Sequence, residues 1–157
     1  MPINAGLFSS ETPEWATPQP VFDALNARHG PFLLDVCATQ ENAKCQRYFT
    51  IKENGLCQTW SDNNWMNPPY GRTIGEWIEK AFREALLGRQ TVALLPGRTD
   101  TRWFHEFIYG RHETQFLCGR LKFGGSKNSA PFPSMVVIFS PGSRRSGSSP
   151  KESANSP

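Results

Sequence analysis

The stretch Asn63-Asn64-Trp65-Met66-Asn67-Pro68-Pro69-Tyr70-Gly71-Arg72-Thr73, with the patterned residues that follow it, decides how this chain is read. Asn63 to Met66 reads as a strand of weak propensity that runs directly into Asn67-Pro68-Pro69-Tyr70. Two consecutive prolines forbid both a helix and the interior of a strand, so the chain turns there. From Thr73 onward Ile74, Trp77, Ile78, Ala81, Phe82, Ala85 and Leu86 recur at helical spacing and stop at Gly88, the strongest helical signal in the sequence. A stiff loop between a strand end and a helix start is where α/β domains place their reactive groups.

Working outward from the loop, the flanks supply the remaining elements. Thr17 before Pro18 suits an N-cap and first helical position, with Val21, Phe22 and Leu25 on one face before Gly30. Phe32 to Val36 is a short apolar run with Asp35 near its end, as in a buried strand whose C-terminus carries a functional group. Thr91 to Leu95 reads as a strand stopped by Pro96. Thr99 or Asp100 can cap a helix bearing Phe104, Phe107 and Ile108, and Glu113–Cys118, Leu121–Phe123 and Met135–Phe139 read as strands. The order predicts a three-layer α/β domain over 15–140, its sheet mostly parallel with an antiparallel C-terminal end. Asp35 and Asn67 both fall at strand ends, where such folds bind ligands.

The loop suits chemistry on an exocyclic amine. Such a nitrogen is a poor nucleophile because its lone pair is delocalised into the ring. If the Asn67 side-chain oxygen and the Pro68 carbonyl each accept one amino hydrogen, the nitrogen is drawn toward tetrahedral geometry and the lone pair is freed. Pro68 and Pro69 stiffen the two acceptors, and the Tyr70 ring offers a face for an extruded base, a contact worth ~1–3 kcal/mol. An isolated Pro-Pro turn with Tyr70 in the core would be the plainer reading. The strand-loop-helix setting favours the acceptors, and a chosen tetrapeptide arises by chance only about once in 10⁵ positions.

With these segments in view, the chain resembles the small phage-type DNA N6-adenine methyltransferases, the phage Dam methylase family. The resemblance rests on the NPPY loop, Trp15-Ala16-Thr17-Pro18, Leu34-Asp35-Val36-Cys37-Ala38 followed by Asn42-Ala43-Lys44, Leu95-Pro96-Gly97-Arg98-Thr99-Asp100-Thr101-Arg102-Trp103-Phe104, and Gly119-Arg120-Leu121-Lys122-Phe123. It implies a compact Rossmann-like class I methyltransferase that uses S-adenosylmethionine to methylate adenine N6 in double-stranded DNA. Asp35, Cys37 and Ala38 would stand at the donor, Asp35 near its amino acid end, with Trp15, Thr17 and Pro18 lining the same pocket.

The family often shows an Asp before Gly-Leu as the receiver of the donor ribose hydroxyls, whereas this chain has Asn54-Gly55-Leu56. Glu53 or Asn54 is then the candidate in that role. The Gly-x-Gly turn of larger methyltransferases is also absent. Only 26 residues span Cys37 to Asp62, short for two further strand-helix units, so the donor half is expected to be compacted. Arg72, Arg98, Arg102, Arg120 and Lys122 are candidate DNA phosphate contacts. Asp100, Glu106 and Glu113 lie among them, which makes a solvated mixed-charge face an equal reading. The other functional readings are the same chemistry on cytosine N4 or RNA adenine, and a nucleic-acid-binding relative that does not methylate.

Composition sets the bounds. At 157 residues, 38% hydrophobic and 20% charged, the chain suits one domain rather than a two-domain enzyme. Of the net charge of +3, residues 141–157 carry +2 through Arg144, Arg145 and Lys151 against Glu152, so a broad basic face is not visible from totals. That Ser- and Pro-rich tail and residues 1–14 read as flexible. Cys37, Cys45, Cys57 and Cys118, spaced by 8, 12 and 61 positions, fit neither zinc nor a disulfide framework, so reduced thiols and no metal are expected. Neither a membrane span nor an export signal is read, and with the phage resemblance this implies the cytoplasm of a bacterial host.

Overall fold

Strand β1 (Leu34–Asp35), strand β2 (Asn63–Met66) and strand β3 (Gln90–Pro96) run parallel side by side. The structure, a computed structural model, describes residues 16–124 and 127–141; the readings of 1–14, Trp15 and 142–157 lie outside these. Beyond β3 come strand β5 (Ser134–Phe139) and then strand β4 (Glu113–Phe116), giving a mixed five-stranded sheet in the order β1-β2-β3-β5-β4. Both of these added pairings are antiparallel, so parallel and antiparallel pairings are equal in number and the sheet is less parallel than expected.

Helix α1 (Gln19–His29) contributes Phe22 and Leu25 to one hydrophobic cluster, with Trp65, Val92, Leu94, Val136 and Ile138 of the sheet. Helix α2 (Ile74–Leu86) contributes Ile74, Trp77, Ile78, Ala81 and Ala85 to the other, with Met66, Ala93, Leu95, Val137 and Phe139. The alternation of neighbours such as Leu94 and Leu95 between the two clusters follows from the two-residue period of a strand. Thr91 to Pro96 are all buried because β3 is central and covered on both faces. Each large apolar side chain removed from water in this way stabilises the fold by about 1.5–3 kcal/mol.

β2 has an unpromising sequence, and side-chain amides hold its entry. Asn64, fully buried, accepts from Ser61 N at 2.8 Å and donates to Ser61 O at 2.9 Å and Gln90 O at 3.0 Å. Asn63 Nδ2 donates to His29 O at 2.9 Å, tying β2 to the end of α1.

Several elements depart from the sequence expectation. Pro18, not Thr17, is the N-cap of α1, since its extended backbone lets its carbonyl accept from Val21 N and Phe22 N. Thr17 is thereby left buried ahead of the helix. Only Leu34 and Asp35 of the 32–36 run join the sheet, and β4 stops at Phe116. The segment expected to be a helix after Asp100 contains a π-helical turn, Phe104–Ile108, and the Thr101 hydroxyl rather than Thr99 or Asp100 accepts from Phe104 N. Leu121 to Phe123 is loop, its apolar residues packing inward without pairing.

The compact 37–62 stretch contains no strand-helix unit. Arg47 to Phe49 lies along β1 through a single parallel bridge between Asp35 and Tyr48, and a 3-10 turn, Gly55–Cys57, completes the segment. Asp35 N donates to Arg47 O, Phe49 N to Asp35 O and Ala38 N to Phe49 O.

Candidate active site

Two neighbouring parallel strands deliver the central groups to one place. Asp35 closes β1, Asn67 follows the last residue of β2, and Asp35 stands in register with Trp65. Between the strand ends and the 37–55 segment lies a cleft of about 350 Å³. Its lining includes Thr17, Asp35, Cys37, Ala38, Asn54, Asn67 and Pro69 from the sequence-derived site. That volume is within the ~300–1,000 Å³ usual for small-molecule sites.

Asp35 is buried, and its carboxylate is oriented by two backbone N–H donors, Cys37 N to Oδ1 at 3.3 Å and Lys44 N to Oδ2 at 2.9 Å. Burial outweighs these bonds and the nearby Lys44 charge, pushing the carboxyl up to about 7. Lys44 also lines the cleft; partial burial lowers its ammonium from the ordinary lysine value against the attraction of Asp35 and Asp23. Thr39 N donates to Asn42 Oδ1 at 2.8 Å and Asn42 N to Thr39 Oγ1 at 3.1 Å, a reciprocal pair that closes the loop between Asp35 and Lys44.

Glu53 and Asn54 part company. The exposed Glu53 carboxylate accepts from Thr50 N and Thr50 Oγ1, both at 2.7 Å, which hold it below the usual glutamate range, and it does not line the cleft. Asn54 does line it, from a left-handed conformation with φ 57°, its Oδ1 accepting from Leu56 N at 3.2 Å. Asn is among the few side chains that enter this region readily.

In the loop, the Tyr70 hydroxyl lies 3.0 Å from Asn67 Oδ1 and 3.1 Å from Leu94 O, as donor to either. The Tyr70 ring meets Phe132 edge to face at 5.3 Å and Phe123 at 6.1 Å, while the residue keeps partial exposure. Burial of the phenol drives its pKa upward. Pro68 is buried beneath the turn.

A family model described as DNA N-6-adenine-methyltransferase (Dam) matches residues 6–153. The chain belongs to this family. The DNA N-6-adenine-methyltransferase of Escherichia phage T1 is 35% identical over 94 residues, 59% of this chain and 39% of that protein. An Escherichia coli (strain K12) protein named "Putative methyltransferase YfdM" is 38% identical over 64 residues, 36% of this chain and 70% of that protein. The matched part of this Dam-family chain thus corresponds to well under half of the phage T1 relative.

The candidate DNA-contacting basic residues of the Dam-family chain are all exposed, on segments that leave one end of the sheet, Arg102 in the helical turn that runs into Phe104–Ile108 and the others on loops. Arg72 follows the NPPY turn, and Arg98 and Arg102 follow Pro96. Arg120 and Lys122 lie between β4 and β5, whose Phe116 and Ser134 ends pair at or next to the Pro96 end of β3. Arg102 stands 3.6 Å from Glu106, and Arg120 donates to Ala130 O at 3.5 Å. Pro18 caps α1 beside the cleft without lining it.

Trp65 and Trp77 also line the cleft, together with Thr50 and the exposed Ile51. Lys44 joins the site although its spacing in the sequence does not show that the chain folds back over Asp35. Among the described residues no group of three His, Cys, Asp or Glu is placed to hold a metal, and no helix is long and apolar enough to cross a membrane.

Proposed function

We propose that this chain transfers the methyl group of S-adenosylmethionine to the N6 amine of adenine in double-stranded DNA, as a compact Rossmann-like, three-layer class I methyltransferase. The observation that carries the reading is that Asn67 lines the same cleft as Asp35, so that an acceptor for an amine and a donor site share one chamber. The cleft fits the donor in kind. Val36, Trp65, Trp77 and Ile51 give apolar wall, Thr50 and Asn54 offer polar atoms for ribose hydroxyls, and Asp35 and Lys44 supply opposite charges. Buried Thr17 Oγ1 has no hydrogen-bond partner among the described residues, an open valence beside the cleft.

Bound there, S-adenosylmethionine supplies an electrophilic methyl group on its sulfonium. Asn67 Oδ1, which lies within reach of the Tyr70 hydroxyl, accepts one amino hydrogen, and the Pro68 carbonyl takes the second. Tyr70 supports the flipped base, and Pro68-Pro69 prevent the acceptors from relaxing away. Asn67 cannot act as a base, so the surplus proton passes to solvent after transfer. Arg72, Arg98, Arg102, Arg120 and Lys122 meet DNA phosphates around the cleft mouth. No metal takes part, and the setting is the cytoplasm of a bacterium carrying a phage or prophage.

Purified protein incubated with unmethylated DNA and labelled donor, followed by nucleoside mass spectrometry, tests the reading. N6-methyladenine formed by the wild-type chain and lost in a folded Asn67→Ala variant is expected. Label in N4-methylcytosine, label only with RNA, or donor-free DNA binding would each replace it with one of the other readings, and undiminished turnover by Asn67→Ala would overturn the loop mechanism.

A further inference from the structure

Asp35 and Lys44 are the charged residues that line the cleft, one of each sign. They do not neutralise each other as an ion pair. The Lys44 backbone N–H is bound to Asp35 Oδ2, which anchors the lysine main chain beside the acid, but the ammonium is turned to Gln19 Oε1 at 2.8 Å. Gln19 is in turn held by its own Nε2 donating to Asp23 Oδ1 at 2.9 Å. Lys44 makes no salt bridge among the described residues.

An ammonium has three N–H donors and no acceptor. One of them is satisfied by a neutral amide, which leaves two beside a cleft that removes them partly from water. Asp35 and Asp23 attract this cation without contacting it, and a partly buried ammonium whose direct partner is a neutral amide is better satisfied by an anion within hydrogen-bond reach. The geometry therefore asks for a ligand that carries both a cation and an anion on a short frame, the cation for Asp35 and the anion for Lys44. An α-amino acid group has that constitution.

We propose that Lys44, positioned by Gln19, binds the α-carboxylate of the methyl donor, so that Asp35 and Lys44 together read its amino acid end. The assignment rests on the donor reading given above. It makes the site a discriminator: a nucleoside thioether with no amino acid end, or a donor that has lost its carboxylate, leaves the Lys44 ammonium without a partner.

Calorimetry of the full chain with S-adenosylmethionine and with its decarboxylated analogue tests this without any DNA or turnover. The wild-type chain is expected to bind S-adenosylmethionine at least about tenfold more tightly than the analogue, as a charge-assisted bond implies. Lys44→Met should weaken S-adenosylmethionine by about that factor and leave the analogue within twofold, collapsing the preference. Lys44→Arg, which keeps the charge, should retain part of it, and thermal melts of both variants register folding independently. Equal weakening of both compounds in Lys44→Met, or equal affinity of the wild-type chain for both, overturns the carboxylate assignment alone. Failure of the folded wild-type chain to bind either compound overturns the donor reading and this assignment with it.

Discussion

The Tyr70 hydroxyl sits 3.0 Å from Asn67 Oδ1, so the last residue of the NPPY turn reaches back to its first. A phenol has one proton, and Leu94 O at 3.1 Å competes for it from the central strand. The contact ties the amide that would receive the amine to a ring wedged between Phe123 and Phe132. Asn67 is thereby oriented from the core.

Tyr70→Phe separates this orienting role from stacking, since it keeps the ring and removes the hydroxyl. The loss of one neutral hydrogen bond, about 0.5–1.5 kcal/mol, should lower kcat by about three- to tenfold. KM for DNA should stay within twofold because the stacking face is unchanged. Steady-state kinetics on unmethylated duplex checks the split, and a change in KM alone would show that the hydroxyl does not position Asn67.

The loop and the two elements around it were legible because each rests on local rules: prolines end a strand, and a 3.6-residue apolar period makes α2. Their convergence with Asp35 also follows from sequence once parallel neighbours are assumed, since both residues end strands. What could not be read depends on where the chain returns. Lys44 faces the cleft only because 37–49 doubles back to lie along β1, a path made by backbone bonds that any sequence could form. Phe123 and Phe132 have the apolar look of strand residues, yet they serve as packing for Tyr70 from loop backbone. Glu53 and Asn54 are adjacent, and the Thr50 N–H and hydroxyl, which together hold the glutamate outward, decide between them.

Asn54 presents a neutral amide where the family often has a carboxylate. Asn54→Asp keeps the Oδ1 bond to Leu56 N and tolerates the left-handed backbone. A charged acceptor for a ribose hydroxyl is stronger than a neutral one by about 1 kcal/mol, so donor affinity should rise about fivefold. Calorimetry with S-adenosylmethionine measures it; weaker binding would mean that Asn54 does not face the ribose.

Gly55 and Gly75 make opposite predictions. A Cβ on Gly55 would overlap the Val36 carbonyl oxygen and crowd the Trp77 ring, and both of those residues line the cleft. Gly55→Ala should cost about 1–3 kcal/mol and weaken donor binding, because a backbone carbonyl must move. At Gly75, inside α2, the nearest atom to such a Cβ is Trp103 Cδ1 at 3.7 Å, an ordinary contact. Gly75→Ala should raise stability by about 0.5–1 kcal/mol through helix propensity. Urea melts of the two variants read the contrast directly.

Asp35 links both stability and donor binding to pH. Its carboxyl is raised from 3.8 to about 7, chiefly by burial, so between those values the folded chain holds a proton that the unfolded chain releases. The stability contributed at this position therefore falls as pH rises across that window and levels off above about 7. Asp35→Asn should flatten that part of the pH dependence of the melting temperature. Donor binding runs the other way, because an ammonium is accepted only by the ionised carboxylate. Affinity for S-adenosylmethionine should climb by up to about tenfold per pH unit below 7 and level off near it. It should then decline as the donor's own α-amino group loses its proton at about 8. Calorimetry at intervals from pH 5.5 to 8.5 traces the profile. A flat acidic limb in the wild-type chain, with no difference in Asp35→Asn, would remove Asp35 from the donor's ammonium.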